Sequence, residues 1–282
     1  MREFVLDPFS TRVAFGRVVY EEAQVDDKVY AIGADTVKNL GFGEMAKAFP
    51  DRVINTGIAE QNMMCFAAGL ATDNNRVFVG TYAPFGTLRA AEQFRTFIAY
   101  PHLNVKIGGG MGGFSAGNEG PTHQGPEDVN IMNIMPKTIV VAPADAAAAR
   151  VITQVVAKTE GPGYIRLGKT PFYKVFDDTY RFQIGKGNVL EGGEDVTIIS
   201  YGTMVSRSLQ AYDLLKERGI NARVIEMPCI KPLDVELITQ TAYETGAIVV
   251  AEEAFKMGGG VLHNCGSIGG EETCSNEVSF NW

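Results

Sequence analysis

The run Asn55-Thr56-Gly57-Ile58-Ala59-Glu60-Gln61-Asn62-Met63-Met64-Cys65-Phe66-Ala67-Ala68-Gly69-Leu70 decides how this chain is read. Val53-Ile54 before it is a short strand signal, and the residues from Met63 to Leu70 are small and apolar enough for a buried helix. An acid, Glu60, therefore stands where a loop enters a hydrophobic helix. Glutamate is rarely buried without a partner, and burial raises a carboxyl's pKa unless a charge or hydrogen bond compensates. Two readings stay open on physics alone. Glu60 is either a carboxyl tuned to share a proton with a ligand, or an acid favoured by the positive end of the helix macrodipole.

Outward from this run, short strands alternate with longer helices. The pattern predicts a helix over 10–25, a buried strand over 29–35 ending in Asp35, and a short helix over 42–49 stopped by Pro50. It continues with a strand at 76–80, a helix at 90–99 and a strand at 103–107 running into glycines. A strand at 138–142, a helix at 146–157 capped by Asp145 and a strand at 163–166 complete this part. Residues 169–188 hold no long periodic run and carry Pro171 with several aromatics, which marks a boundary. The rhythm resumes with strands at 195–200, 223–226 and 247–251 and helices at 204–217 and 234–243. The predicted fold class is α/β. A first domain over 1–175 has a mainly parallel sheet covered by helices, and a smaller α/β domain follows over 186–282. Its tail, 261–282, follows neither period and reads as loop or disorder.

With 282 residues and 45% hydrophobic content, the chain is long enough for about two domains. A net charge of −8 and no long basic run exclude nucleic acid and anionic membranes as expected partners. No apolar segment reaches the roughly 18–20 residues that span a bilayer. The start, Met1-Arg2-Glu3-Phe4-Val5-Leu6-Asp7, is too short and acidic for a signal peptide, so a cytoplasmic location is expected. Cys65, Cys229, Cys265 and Cys274 are scattered, which argues against a disulfide framework. His263, Cys265 and Cys274 would need a fourth ligand and tighter spacing to hold zinc, so no metal site is expected on this chain.

Two further stretches carry candidate chemistry. In Gly120-Pro121-Thr122-His123-Gln124-Gly125, one of the chain's three histidines is bracketed by turn residues. It is either placed for proton transfer or an ordinary surface histidine. The glycines from Gly108 to Gly117 form neither a phosphate-binding loop nor a dinucleotide fingerprint. They either let backbone approach a ligand or make a flexible loop. In the stretch from Thr81 to Arg89, Tyr82 and Phe85 follow a strand end, where they stack on a flat heterocycle or pack in the core. The chain has no Gly-Asp-Gly followed some thirty residues later by Asn-Asn, no Gly-x-Ser-x-Gly and no His-Glu-x-x-His.

Taken in order, these stretches resemble the transketolase family of thiamine diphosphate enzymes. The resemblance rests on Gly33-Ala34-Asp35, Phe49-Pro50-Asp51-Arg52, the run from Gly57 to Met63 with Ala67 to Leu70, the stretch from Tyr82 to Arg89, and Gly120-Pro121-Thr122-His123-Gln124. It continues through Pro143-Ala144-Asp145, Tyr164-Ile165-Arg166, Ser200-Tyr201-Gly202-Thr203, Pro232-Leu233-Asp234 and Ala251-Glu252-Glu253 with Gly258-Gly259. A full transketolase also has an upstream diphosphate-binding domain, so the chain is similar to the separately encoded C-terminal subunit of a split transketolase. The resemblance implies a pyrimidine-binding domain followed by a C-terminal domain. It implies transfer of a two-carbon ketol unit from a ketose phosphate to an aldehyde. It also implies thiamine diphosphate and Mg²⁺ as cofactors, with metal and diphosphate held by an N-terminal partner subunit in a dimer of heterodimers.

Residue by residue, Glu60 matches the glutamate that hydrogen-bonds the pyrimidine nitrogen and helps activate the cofactor. Tyr82 and Phe85 match aromatics packed around the pyrimidine, and Arg89 closes the same cofactor-binding stretch. Asp35 matches an acid near the cofactor at the subunit interface. His123 matches the loop histidine that contacts substrate and shuttles protons, and Arg166 a phosphate-binding arginine. Glu119 stands on the substrate side, where full-length enzymes have aspartate. Met111 and Gly112 replace a further histidine, as in deoxyxylulose-phosphate synthase. The tail lacks the family's usual helix and strand. A deoxyxylulose-phosphate synthase-like or 2-oxo acid dehydrogenase β-like subunit, or a non-catalytic subunit that kept the fold, are the other readings.

Overall fold

The computed structural model describes residues 2–256 and residue 261. Phe15, Val18, Val19 and Ala23, three and four apart, give helix α1 (Thr11–Val25) one buried face. There follow β1 (Val29–Gly33), α2 (Gly43–Ala48), β2 (Val53–Asn55), α3 (Glu60–Ala71), β3 (Arg76–Tyr82), α4 (Ala91–Gln93), β4 (Val105–Gly110), α5 (Asp128–Ile134), β5 (Ile139–Val141), α6 (Ala146–Ala157) and β6 (Gly163–Arg166). The second half holds β7 (Asn188–Glu191), β8 (Val196–Ser200), α7 (Met204–Glu217), β9 (Ala222–Glu226), β10 (Cys229–Lys231), α8 (Val235–Thr245) and β11 (Ile248–Ala251).

Two sheets result. The first has the order β10-β5-β6-β4-β3-β1-β2 and the second β11-β8-β9-β7. Only the edge strands β10 and β7 run antiparallel. Strands β4 and β6 are buried along their whole lengths, as parallel strands covered on both faces must be. The predicted class, a mainly parallel sheet flanked by helices with a smaller α/β sheet after it, is the observed one. No helix among the described residues is long and apolar enough to cross a membrane. Apart from residue 261, the atypical tail, with the His263, Cys265 and Cys274 group, lies outside the described residues.

Three local expectations need correction. Gly108 and Gly109 belong to β4 and not to a flexible loop. A Cβ at Gly108 would stand 2.6 Å from the Phe15 ring, and one at Gly109 would meet the Tyr164 hydroxyl, so these glycines make room for core aromatics. The single helix expected over 90–99 is instead the short α4 between two wide π-type turns, Phe85–Arg89 and Phe94–Ala99. The Thr87 hydroxyl donates to the Ala83 carbonyl at 2.8 Å, competing for the acceptor that a regular α-turn would use there. Third, β10 crosses from the second half to the edge of the first sheet, where Cys229 pairs with Val141. A three-residue strand carries too little pattern to announce such a crossing.

The two halves share a core. Met63, Met64, Phe94 and Tyr164 belong to one apolar cluster with Tyr201, Ile225, Met227 and Ile230. The connecting segment is pinned by buried acids. Asp145 caps α6 through Oδ1, which accepts Ala148 N–H at 2.8 Å, while Oδ2 accepts the N–H groups of Val175 and Phe176. Glu226 receives the Tyr180 hydroxyl at 3.2 Å. Burial pushes the Glu226 carboxyl up to about 8, which favours its neutral form.

Candidate active site

The loops after β1, β2, β3 and β4 leave the carboxyl edge of the first sheet, where ligand crevices of open α/β sheets lie. Glu60 is the first residue of α3 and is only 2% exposed. Arg89 Nη1 donates to its Oε2 at 2.8 Å. Arg89 ends the wide turn after β3, with its guanidinium 4.4 Å from the centre of the Phe85 ring. The compensating charge for the buried carboxylate is therefore a residue 29 positions along the chain. No donor among the described residues reaches Oε1.

Tyr82, Phe85 and His123 form a triangle. The ring centroids are 5.9 Å apart for Tyr82 and Phe85, 5.9 Å for Tyr82 and His123, and 5.2 Å for Phe85 and His123. Asn39 Nδ2 donates to the Tyr82 hydroxyl at 2.6 Å. Thr122 Oγ1 lies 2.9 Å from His123 Nδ1, which orients the ring and leaves Nε2 without a partner among the described residues. A cleft of about 410 Å³ opens beside this group, lined by Phe85, Leu88, Arg89, Pro121, Thr122 and Glu127 among others. Burial raises the Glu127 carboxyl above its ordinary pKa.

The other expected site residues are placed differently. Asp35 is exposed on the β1 loop with φ 61°, a backbone state aspartate tolerates, and its N–H donates to Asn55 Oδ1 at 2.9 Å. Glu119, on the loop before His123, is paired with Lys169. Arg166 does not present its guanidinium to the cleft wall. It is 7% exposed and turned inward onto Asp128, with Nη2 2.9 Å from Oδ1 and Nε 3.1 Å from Oδ2. Burial acts to lower the Arg166 pKa, but Asp128, together with Tyr201, Glu253 and Tyr164, outweighs it and holds the guanidinium above its ordinary value. Any contact with a phosphate requires Arg166 to exchange these partners. Its side chain also fills the space above Gly112, where a Cβ would stand 2.5 Å from Arg166 Cγ.

One residue escapes the sequence reading. Arg12, in the first turn of α1, is half-buried, and its guanidinium makes no hydrogen bond or ion pair among the described residues. Burial lowers its pKa, and the neighbouring Tyr82 and Glu119 oppose that. The signal in the sequence was an arginine in a helix's first turn with no acid beside it, where the macrodipole disfavours a cation.

Residues 7–173 match the family described as transketolase, pyrimidine binding domain, and residues 185–263 match transketolase, C-terminal domain. The chain is 37% identical over 249 residues to a subunit of the apulose-4-phosphate transketolase of Phocaeicola vulgatus, covering 88% of this chain and 80% of that one. It is 35% identical over 249 residues to the 1-deoxy-D-xylulose-5-phosphate synthase of Trichormus variabilis, covering 87% of this chain but 39% of that one. Among solved structures, a split gene transketolase described as an inactive beta4 tetramer shares 42% identity and a TM-score of 0.83, over 92% of this chain and 84% of its own.

Proposed function

Because the chain belongs to the transketolase family, we propose that it is the C-terminal subunit of a split, thiamine diphosphate-dependent transketolase. It transfers a two-carbon ketol unit from a ketose phosphate to an aldehyde. A separate N-terminal subunit supplies the Mg²⁺ and diphosphate half of the site, in a dimer of heterodimers. The observation that carries this reading is Glu60: a buried residue with Oε2 held by Arg89, whose guanidinium lies over the Phe85 ring, and with Oε1 free of any donor among the described residues. That pairing of a proton-sharing oxygen with a flat apolar face fits an aminopyrimidine.

Thiamine diphosphate, when bound, supplies the carbanion-stabilising chemistry, and the protein supplies orientation and proton control. With the cofactor bound, Glu60 would be the residue that holds a proton against the pyrimidine ring. Arg89 keeps the carboxylate in place and balances its charge. Phe85 and Tyr82 would supply apolar faces to hold that ring. His123 Nε2 exchanges a proton with a substrate hydroxyl or carbonyl oxygen. Arg12, unpaired among the described residues, is the cation for the donor phosphate, since a guanidinium matches a phosphate in both charge and shape. Glu119 and Asp35 border the substrate and interface sides. A second reading, deoxyxylulose-phosphate synthase-like chemistry, is favoured by Gly112. Arg166 leaves no room there for the histidine of transketolases.

Calorimetric titration of thiamine diphosphate with Mg²⁺ tests the proposal. Binding is expected only when the chain is mixed with an N-terminal subunit, and the chain alone is expected to be inactive. Tight binding to the chain alone would overturn the shared site. In the mixture, Arg12→Gln is expected to raise KM for a phosphorylated donor roughly 10–100-fold, the worth of one charged hydrogen bond. KM for an unphosphorylated donor should stay unchanged. Equal effects on both donors would remove Arg12 from phosphate recognition.

A further inference from the structure

We infer that Glu253, on the segment after β11, positions the loop that carries His123, so that the second half of the chain takes part in the proposed reaction. The inference rests on the transketolase reading for its catalytic consequence, and on geometry alone for the positioning.

The loop leaves β4 at Met111 and returns at Gly125. Its ends are zipped together: Gly113 N–H donates to the Gly125 carbonyl at 3.1 Å, and Gly125 N–H to the Gly113 carbonyl at 2.9 Å. Glu253 Oε1 accepts the N–H of Phe114 at 2.9 Å, one residue inside that zipper. The carboxyl lies against Gly113, which has φ 63°, and a Cβ there would stand 2.7 Å from Glu253 Cδ. Arg166 binds the same pieces: Nη2 donates to the Glu253 carbonyl at 2.6 Å and to the Gly125 carbonyl at 3.4 Å. Phe255 N–H donates to the Pro126 carbonyl at 3.1 Å.

The loop base therefore rests on the Glu253 side chain and the Phe255 N–H from beyond β11, with Arg166 bridging the Glu253 and Gly125 carbonyls. Gly125 in turn is closely packed on Ala83 and Pro84, the residues just before Phe85, where a Cβ would have neighbours at 3.1 Å. A displaced base shifts His123 against the Phe85 ring, 5.2 Å away. Adhesion between the two halves needs only apolar contact, which their shared core already provides. A carboxylate aimed at one loop amide does something more specific: it fixes where the loop starts. Burial raises the Glu253 carboxyl's pKa, and the Arg166 charge opposes this in part.

The experiment compares Glu253→Ala with Glu253→Gln, as full chains alone and in the reconstituted complex. In the chain alone, Glu253→Ala is expected to speed amide exchange across 112–125 about tenfold or more, with β4 and β6 still protected. Unchanged exchange in the loop overturns the positioning. In the complex, Glu253→Ala is expected to lower kcat on the order of 10–100-fold, the scale of a misplaced catalytic group, with donor KM and cofactor affinity changed about threefold or less. Glu253→Gln keeps an oxygen for the Phe114 amide and should recover most of that loss. Equal losses in both variants with a common fall in Tm would make Glu253 a plain domain contact and overturn the inference. If the wild-type complex shows no ketol transfer, the functional reading fails instead, and the exchange measurement alone decides the positioning.

Discussion

Replacing Glu60 by glutamine is expected to cut kcat of the reconstituted complex by about 10²–10⁴, the range for losing a positioned proton-transfer group. The substitution keeps the volume of the side chain and a hydrogen-bond acceptor for Arg89 Nη1. It removes the capacity to share a proton between a carboxylate oxygen and a ring nitrogen. Assembly with the N-terminal subunit, followed by sedimentation, should be unaffected, and Tm should move by only a few degrees. The half-exposed Arg89 can turn its unpaired charge to water. Turnover is read as donor consumption under saturating cofactor, so weaker cofactor binding is not mistaken for slower chemistry. Activity within about threefold of wild type would remove Glu60 from proton transfer and leave it as a helix-start acid paired with Arg89.

The largest expected loss of stability comes from Asp128→Ala. Asp128 is completely buried and accepts the Tyr164 hydroxyl at 2.6 Å, together with two bonds from Arg166 at 2.9 and 3.1 Å. Removing it strands a buried guanidinium and a buried phenol without their acceptor. Breaking one partner out of a buried ion pair costs about 3–5 kcal/mol, far more than an exposed pair is worth. Denaturant unfolding should show that loss as a lower midpoint with an unchanged slope. Asp128→Asn, which keeps the shape and one acceptor, should lose less. A loss under about 1 kcal/mol for the alanine variant would mean that Arg166 finds other partners or water. The same pair underlies the loop base that carries His123, because Arg166 also donates to the Gly125 carbonyl.

Much of this was written in the order of the residues. The alternation of short apolar strands with periodic helices announced the parallel sheet, since hydrophobic period is a property of one element and its immediate neighbours. The acid at the mouth of α3, the aromatics after β3 and the histidine between turn residues were legible for the same reason: each lies at the boundary of a local pattern. The sequence therefore determined the fold class and named Glu60, Tyr82, Phe85 and His123 as candidates. Tertiary structure decided whom they meet. Arg89 answers Glu60 from 29 residues away, and Asp128 claims Arg166 across 38. Arg12 is left unpaired among the described residues, beside Tyr82 and Glu119, and β10 joins the far edge of a sheet built from the other half. Such pairings depend on strand order and on which loop edges the crossovers bring together. No local period carries that information, so the partners of a charged side chain appear only once the sheet is closed.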